Sequence, residues 1–246
     1  MNESTVRKLT ELKLYGMAEK LKELAQSPKY TSMTHEELLS HVVDREYDKR
    51  RNSRIERLLR DAKIKISNAS IEDIEYSPKR NLKKEQIQNI IDSRYLENHH
   101  NILISGSTGV GKSFLACALA QMACRNGHSV LYTRAARLLE NIKQEKLLGN
   151  YMKTLDRLGK TALLVVDDIG PDVMTKEERN LFFEIVEERY MKGATIFTSQ
   201  LPLEQWYAVF EDNTVADAIC DRIFHNAHKI LLNGDSMRKK QVQKGE

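Results

Sequence analysis

The segment from Gly106 to Ser113 has the composition and spacing of a phosphate-binding loop. It reads Gly106-Ser107-Thr108-Gly109-Val110-Gly111-Lys112-Ser113, which matches the pattern G-x-x-x-x-G-K-[ST]. The glycines let the backbone curl around phosphate, Lys112 can neutralise the β and γ phosphates, and Ser113 offers a hydroxyl to Mg²⁺. The pattern therefore predicts a site for a nucleoside triphosphate and Mg²⁺.

Two adjacent carboxylates, Asp167 and Asp168, follow the apolar run of residues 163–166. Ligands of open α/β sheets bind at the carboxyl ends of the strands, so both side chains are expected near the phosphate-binding loop. We predict that Asp167 holds Mg²⁺ and that Asp168 polarises the attacking water. An apolar strand that ends in Asp is common, but its position 55 residues after Lys112 makes the assignment specific.

Gln200 and Arg222 are two further candidates for a role in hydrolysis. Gln200 follows the strand-like segment 194–199, where it either acts on the water or the γ-phosphate or merely caps the strand. Arg222 is either an arginine that completes the site of a neighbouring subunit or an ordinary surface ion-pair partner. The first role is chemically reasonable because the γ-phosphoryl transition state is commonly met by an arginine supplied in trans. The residues alone leave both choices open.

Residues 45–65 concentrate positive charge. They hold nine basic and four acidic side chains, a net charge of +5, whereas the whole chain carries +4. The candidate DNA-binding residues are Arg50, Arg51, Arg54 and Arg57. On a helix, Arg50, Arg54 and Arg57 share one face and offer guanidinium groups to phosphates, while Ile55 and Leu59 can pack on the other. The alternative is a solvated helix face, the commoner role of a charge run.

The apolar segments after residue 100 predict the sheet that positions these side chains. The five strand candidates are residues 101–105, 129–133, 162–167, 194–199 and 229–232. Helix-like segments such as 113–125 and 177–191 separate them, and continuously apolar strands that alternate with helices indicate a parallel sheet covered on both faces. In sequence, the strand candidate 129–133 lies between the strand that precedes the phosphate-binding loop and the strand that ends in the two aspartates. This order favours an ATP-driven motor over a GTPase.

The chain before this sheet is helix-like and highly charged. Leu14, Met17, Leu21 and Leu24 recur at helical spacing. A second amphipathic stretch follows Thr34, a predicted N-cap with Glu37 three residues further on. We therefore predict a helical DNA-binding or partner-binding domain over residues 1–70 and an α/β P-loop ATPase domain over residues 71–246.

The composition predicts a soluble globular protein of the cytoplasm. The chain has 246 residues, enough for one large or two small domains, and 41% of them are hydrophobic and 30% charged. Its apolar runs are far shorter than the roughly 20 residues of a membrane-spanning helix. The first residues lack the basic start and apolar middle of a secretory signal, which predicts a cytoplasmic location.

These motifs together resemble the IstB family of insertion-sequence ATP-binding proteins, transposition helpers of the AAA+ group that are related to the DnaC and DnaI helicase loaders. The resemblance rests on residues 9–18, 101–116, 163–170 and 198–202, and on the C-terminal residues 221–228 and 234–239. The segments after residue 160 discriminate more than the phosphate-binding loop, which hundreds of unrelated enzymes share.

The resemblance implies a fold and a set of roles. The implied fold is an AAA+ P-loop NTPase with a parallel five-stranded sheet and helices on both faces, preceded by a small helical domain. The implied activity is a slow Mg²⁺-dependent ATP hydrolysis that DNA or a partner stimulates. The implied positions are Lys112 and Ser113 for phosphate and Mg²⁺, Asp167 and Asp168 for metal and catalysis, Gln200 as first sensor, Arg222 as arginine finger and Arg238 as second sensor. Many AAA+ proteins have Glu in place of Asp168, and Asn is more frequent than Gln at the first sensor.

The resemblance also implies partners. They are duplex DNA bound with little sequence preference, a cognate transposase that the protein recruits and stimulates, and further copies of the chain with ATP at the interfaces between subunits. Hydrolysis would then release the assembly. A replicative helicase loader is the alternative of the same fold, and a small-molecule kinase is the alternative of another class. The basic helical region and the candidate arginine finger disfavour a compact kinase.

Overall fold

The chain divides into two compact units, residues 1–57 and 58–246. The computed structural model describes residues 3–27, 33–170, 172–210 and 213–237. The division lies earlier than the boundary expected between residues 70 and 71. Its physical reason is that Ala62 and Ala69 are completely buried in the core of the second unit, with Leu58 and Leu59 packed against that core. The basic run of residues 45–65 continues across the division, so charge does not reveal it.

The first unit is helical, as predicted. Its helices are α1 (Glu3–Glu11), α2 (Tyr15–Ala25) and α3 (His35–Asp61), of which α3 ends inside the second unit. The predicted cap of α3 is present: the Glu37 N–H donates to Thr34 Oγ1 at 3.2 Å, and the Thr34 N–H donates to Glu37 Oε2 at 2.8 Å. This reciprocal capping box satisfies two backbone donors that the helix leaves unpaired.

The second unit contains a five-stranded parallel sheet, which confirms the predicted fold class. The strands are β1 (Asn101–Gly106), β2 (Val130–Arg134), β3 (Leu163–Ile169), β4 (Ala194–Ser199) and β5 (Ala227–Leu232). Their spatial order is β2-β3-β4-β1-β5, and every neighbouring pair is parallel. The last strand begins two residues before the expected start at residue 229.

Helices connect and cover these strands. They are α4 (Lys84–Asp92), α5 (Lys112–Arg125), α6 (Ala135–Leu147), α7 (Tyr151–Lys160), α8 (Lys176–Arg189), α9 (Trp206–Phe210) and α10 (Asn213–Phe224). Alternate residues of one strand enter two separate cores: Ile102 and Ile104 belong to the core that contains α5, whereas Leu103 belongs to the core that contains residues of α6, α7 and α8. The strands read as continuous apolar runs because both of their faces are buried. Within the described residues, no helix has the length and apolar character to cross a membrane.

The strand order explains how the site forms. β4 lies between β1, which leads into the phosphate-binding loop, and β3, which carries the two aspartates. All three strands are parallel, so their carboxyl ends meet at the same edge of the sheet. The last residues of β4 therefore lie between the loop and the carboxylates.

Candidate nucleotide-binding site

The phosphate-binding loop joins the end of β1 to the start of α5, as predicted. The Lys112 ammonium is largely buried and donates to the carbonyl oxygens of Gly106 at 2.6 Å and Ser107 at 2.9 Å. Gly111 precedes α5 with a φ of +101°, which side-chain-bearing residues rarely adopt. The first N–H groups of α5 have no partner within the helix and, with the positive end of the helix dipole, favour a phosphate at this position.

Arg80 donates a hydrogen bond to the phosphate-binding loop, and no motif in the sequence predicted this contact. Its Nη2 donates to the carbonyl of Val110 at 2.8 Å, and its Nη1 donates to the carbonyl of Glu75 at 2.5 Å. A Cβ atom placed on Gly111 would lie 2.7 Å from Arg80 Nη2. Gly111 is therefore required both by its backbone conformation and by this close approach of a buried guanidinium.

The C-terminal segment also reaches the loop. The Met237 N–H donates to the carbonyl of Gly109 at 2.9 Å, and a Cβ atom placed on Gly109 would lie 2.3 Å from Ser236 Oγ. The Asn233 N–H donates to the carbonyl of Arg80 at 3.0 Å. Hydrogen bonds thus connect the segment after β5 to the phosphate-binding loop and to Arg80. Arg238, the candidate second sensor, lies outside the described residues.

Asp167 lies in a shell of hydroxyl groups. It is 1% exposed, and its Oδ1 accepts hydrogen bonds from Ser113 Oγ at 2.8 Å and from Thr198 Oγ1 at 2.6 Å. The Tyr132 phenol donates to Oδ2. Burial first, and then this hydrogen bond, raises the pKa of Tyr132, so the phenol remains a protonated donor at neutral pH. No pattern in the sequence indicated that Tyr132 would contact Asp167, whereas Thr198 is one of the polar residues that end the fourth predicted strand at the same edge of the sheet.

The contact between Ser113 and Asp167 fits a Mg²⁺ site. A serine hydroxyl that donates its proton to a carboxylate keeps its lone pairs for a cation, and Mg²⁺ prefers such oxygen ligands. The described part of the chain contains no cluster of three or more His, Cys, Asp or Glu side chains that could hold a metal ion. A Mg²⁺ site in a P-loop protein needs no such cluster, because one or two protein oxygens act together with the phosphates of the nucleotide.

A β-bulge separates the two aspartates. Val166 pairs with Phe197 and Ile169 with Ser199, so that Asp167 and Asp168 together oppose Thr198 alone. The Asp168 N–H donates to Thr198 Oγ1 at 2.9 Å, and Asp168 has a φ of +64°. The bulge leaves Asp167 buried and Asp168 exposed. The adjacent residues therefore have different environments, as their different predicted roles require.

Gln200 connects the loop to the exposed carboxylate. Its Oε1 accepts a hydrogen bond from Thr108 Oγ1 at 2.7 Å, and its Nε2 donates to Asp168 Oδ1 at 3.4 Å. The end of β4 is capped by the neighbouring Ser199, whose hydroxyl donates to the carbonyl of Ile169 at 2.8 Å and accepts from the Leu201 N–H at 3.1 Å. The Gln200 amide is thus positioned between Thr108 and Asp168.

Arg222 lies at the opposite edge of the sheet. Its guanidinium pairs with Glu187 and lies 5.3 Å from the centre of the Phe183 ring. The next residue, Ile223, accepts a hydrogen bond at 3.0 Å from the side-chain amide of Asn101, the first residue of β1. At about 3.3 Å per residue, β1 separates this edge from the phosphate-binding loop by roughly 17 Å. Arg222 is therefore not part of the nucleotide site of its own chain.

Three of the four candidate DNA-binding arginines line one groove in the first unit. Arg50, Arg54 and Arg57 are exposed on α3 and face a groove of about 250 Å³. The remaining lining residues are Lys13, Tyr15, Glu46, Lys49 and Ser53. Arg50 is partly neutralised by an ion pair with Glu46 at 2.6 Å. Arg51 is exposed on the same helix but does not line the groove.

The strand order and the loop between β1 and α5 define the fold of a P-loop nucleotide-binding protein. Among solved structures, it is similar to the DnaC helicase loader, with a TM-score of 0.59 and 20% identity over 68% of this chain and 97% of that one. It is also similar to the replication initiator DnaA bound to AMPPCP and single-stranded DNA, with a TM-score of 0.58 and 18% identity over 72% of this chain and 54% of that one. Likeness at these identities describes the fold.

The sequence comparisons identify the family. A family model described as IstB-like ATP binding protein matches residues 7–245. The chain is 38% identical to y4pL of Sinorhizobium fredii, named as an insertion sequence ATP-binding protein, over 98% of both chains. It is 37% identical to an ATP-binding protein named for insertion sequence IS1162 of Pseudomonas fluorescens, over 82% of this chain and 87% of that protein. The chain therefore belongs to the IstB-like family of insertion sequence ATP-binding proteins.

Proposed function

We propose that the protein is an ATP-dependent, DNA-binding helper of transposition that assembles on duplex DNA and recruits and stimulates a cognate transposase. The observation that carries the proposal is the arrangement at the carboxyl edge of the sheet. Ser113 contacts Asp167 at 2.8 Å, and Gln200 connects Thr108 to Asp168. Membership of the IstB-like family supports the link to insertion sequences.

In the proposed reaction, water attacks the γ-phosphorus of ATP and ADP leaves. The exposed Asp168 carboxylate accepts a proton from the water, and the Gln200 amide holds Asp168 and faces the loop that binds the phosphates. Lys112 neutralises phosphate charge from within the loop. Ser113 and Asp167 would hold Mg²⁺, which would supply further positive charge to stabilise the transition state.

The proposed DNA contact is the basic groove of the first unit. Arg50, Arg54 and Arg57 can each neutralise a phosphate, which gives salt-sensitive binding with little sequence preference. Tyr15 adds an aromatic ring to the same groove, 5.8 Å from the Lys49 ammonium. Such binding suits a protein that marks target sites irrespective of their sequence.

Arg222 is proposed to complete the ATP site of a neighbouring subunit. Its position at the amino edge of the sheet, roughly 17 Å from its own phosphate-binding loop, favours action in trans. ATP held between two subunits stabilises their assembly by linkage, and hydrolysis removes that stabilisation. The nucleotide would thus set how long the assembly remains on DNA.

The comparisons favour transposition over helicase loading. Relatives at 37–38% identity are named for insertion sequences, whereas the DnaC and DnaI structures match at 20% and 22% identity. Retention of a replicative helicase in a pull-down, without any effect on strand transfer by the cognate transposase, would reverse this choice.

Imaging the protein on duplex DNA with Mg²⁺ and either ATP or ADP tests the assembly step. We expect ordered assemblies with ATP and dispersed protein with ADP. Lys112→Ala should not assemble with either nucleotide, because it lacks the charge that binds the β and γ phosphates. Circular dichroism checks that this variant is folded. Equal assembly by the variant and the wild type would contradict the role of the loop.

The salt dependence of DNA binding tests the groove. Replacing Arg50, Arg54 and Arg57 together by Ala should weaken binding and reduce the slope of log K against log salt by up to about three units, since each phosphate contact contributes about 0.9. Arg54→Ala and Arg57→Ala are also made as single variants. Their control is Arg51→Ala, which lies on the same helix but outside the groove. An unchanged slope in the triple variant would leave the arginines as solvated surface.

A further inference from the structure

A lysine outside every recognised nucleotide-binding motif lies beside the buried aspartate of the Mg²⁺ site. Lys65 Nζ is 3.9 Å from Asp167 Oδ2, and the lysine side chain is 37% exposed whereas that of Asp167 is 1% exposed. The hydrogen-bond donors to Asp167 from Ser113, Thr198 and Tyr132 are neutral hydroxyls. Lys65 adds a full positive charge to this set.

The backbone around Lys65 is anchored to the elements that build the site. The Tyr132 N–H on β2 donates to the carbonyl of Ala62 at 2.8 Å, and the Gln121 amide on α5 donates to the carbonyl of Ser67. Ala62 and Ala69, on either side of the lysine, are completely buried. The main chain therefore holds Lys65 in place, while its long and partly exposed side chain can still turn towards solvent.

We propose that Lys65 is a built-in cation that neutralises Asp167 when no Mg²⁺ is bound and is displaced from it when Mg²⁺ binds with nucleotide. The proposal rests on the Mg²⁺ and ATP site of the proposed function. A buried carboxylate is costly without a nearby positive charge, which Lys65 supplies. Two cations close to one carboxylate repel each other, so Mg²⁺ and the Lys65 ammonium compete for Asp167.

Because of this competition, the position of the Lys65 side chain would depend on whether Mg²⁺ is bound. The segment that carries the lysine follows directly after the basic helix α3, which ends at Asp61. Binding of Mg²⁺ and nucleotide would release the lysine side chain from Asp167 and leave it free to turn outward. The side-chain position of Lys65, in the segment that follows α3, would thus differ between the nucleotide-free and the nucleotide-bound protein.

The test measures how Mg²⁺ affects the binding of a fluorescent ADP analogue to the full-length chain. In Lys65→Met, we expect half-saturation at about three- to fivefold lower Mg²⁺, the effect of removing a partly exposed ion pair that opposes the metal. Affinity for the analogue without Mg²⁺ should stay unchanged. Lys65→Arg, which keeps the charge, should behave like the wild type. Lys63→Met is the matched control, because Lys63 is exposed and has no ion pair among the described residues.

Thermal unfolding supplies a second measurement that does not depend on hydrolysis. Without nucleotide, Lys65→Met should unfold at a lower temperature than the wild type, because Asp167 has lost its compensating charge. At saturating Mg²⁺ and ADP the difference should disappear, since the lysine no longer contacts Asp167 in either protein. Lys65→Gln should repeat both results.

The outcomes separate this inference from the proposed function. A wild type whose nucleotide affinity depends on Mg²⁺, with an unchanged half-saturation in Lys65→Met, overturns the inference alone. Weaker binding of Mg²⁺ and nucleotide in Lys65→Met would mean that the lysine contacts phosphate, and it also overturns the inference. A wild type with no Mg²⁺ dependence overturns the Mg²⁺ role in the proposed function, and the inference fails with it.

Discussion

At the scale of single residues, Thr198 links the side chain of Asp167 to the backbone of Asp168. Its hydroxyl donates to Asp167 Oδ1 at 2.6 Å and accepts from the Asp168 N–H at 2.9 Å. Thr198 is completely buried, so neither bond can be replaced by bulk water. The hydroxyl thus stabilises the bulge that leaves one aspartate buried and the other exposed.

Thr198→Val tests this link with little change in side-chain shape. The variant leaves the Asp168 N–H without its partner, which should lower the free energy of unfolding by about 1–3 kcal/mol. Hydrolysis should fall about tenfold or more because Asp168 loses its fixed position. Denaturant unfolding and steady-state ATPase assays measure the two effects. Thr198→Ser, which keeps the hydroxyl, should retain most of the activity, and equal losses in both variants would contradict the role of the hydroxyl.

Asp168→Asn separates catalysis from nucleotide binding. Asn is among the residues that tolerate a positive φ, so the bulge with its φ of +64° should survive. The amide cannot accept the proton of the attacking water, and the turnover number should fall about 100-fold. Affinity for ADP with Mg²⁺, measured by calorimetry, should stay close to that of the wild type. Full activity of the variant would exclude Asp168 as the base.

At the scale of elements, a close backbone contact and a buried carboxylate help to join α2 and α3. A Cβ atom on Gly16 would lie 2.7 Å from the Arg45 carbonyl oxygen and from the Glu46 α-carbon. Glu46 Oε2 accepts the backbone N–H groups of Gly16 at 2.7 Å and Met17 at 3.2 Å. The side chain of one helix therefore caps the start of the other. Burial favours a higher pKa for Glu46, but the bonds from Arg50, Met17 and Gly16 outweigh it and lower the pKa.

Glu46→Ala should loosen the helical unit. The change leaves two N–H groups at the start of α2 unsatisfied and removes a charged acceptor, so we expect a loss of about 2 kcal/mol of local stability. Hydrogen exchange of the backbone amides of α2 and α3 measures it locally. Glu19→Ala, which removes an exposed ion-pair partner of Lys49, should change exchange much less. Equal effects of the two substitutions would mean that the cap adds nothing.

At the scale of the whole molecule, the two halves of the proposed catalytic site lie at opposite edges of one sheet. The phosphate-binding loop follows the last residue of β1, whereas Arg222 lies beside the first. A contact that joins different surfaces of identical subunits is heterologous, and it forms a ring or a helical filament according to its geometry. In the proposed function, these two surfaces would meet at each interface between subunits.

Mixing two inactive variants tests the shared site. Arg222→Ala keeps an intact phosphate-binding loop, and Lys112→Ala keeps an intact arginine. An equal mixture should recover ATPase activity, because the arginine of a Lys112→Ala subunit completes the ATP-bound site of an Arg222→Ala neighbour. The recovery should reach at most about one quarter of the wild-type level, the share of random interfaces that combine the two intact halves, since Lys112→Ala cannot assemble through its own loop. The control mixes Arg222→Ala with the Lys112→Ala/Arg222→Ala double variant, which supplies no arginine. Equal activity of the two mixtures would contradict a site shared between subunits.

Local patterns in the sequence determined the elements and the residue types of the candidate site. The spacing of Gly106 to Ser113 predicted the loop and the start of α5, and apolar runs predicted the five strands. Thr34 and Glu37 predicted the start of α3. These features are readable because each depends on residues only a few positions apart, whose backbone chemistry acts within one turn or one strand.

Only the tertiary structure decided which distant side chains meet. Thr198, Tyr132 and Lys65 reach Asp167, and Arg80 supports the loop at Val110. Placing β4 between β1 and β3 brings Thr198 to the aspartate, and the local pattern of each strand does not specify its neighbours. The same holds for the division after residue 57, which depends on where Ala62 and Ala69 are buried rather than on charge. The strands and helices pack so that their apolar surfaces are removed from water, and this depends on the sheet as a whole. Contacts between residues far apart in the chain follow from that packing and not from any local pattern.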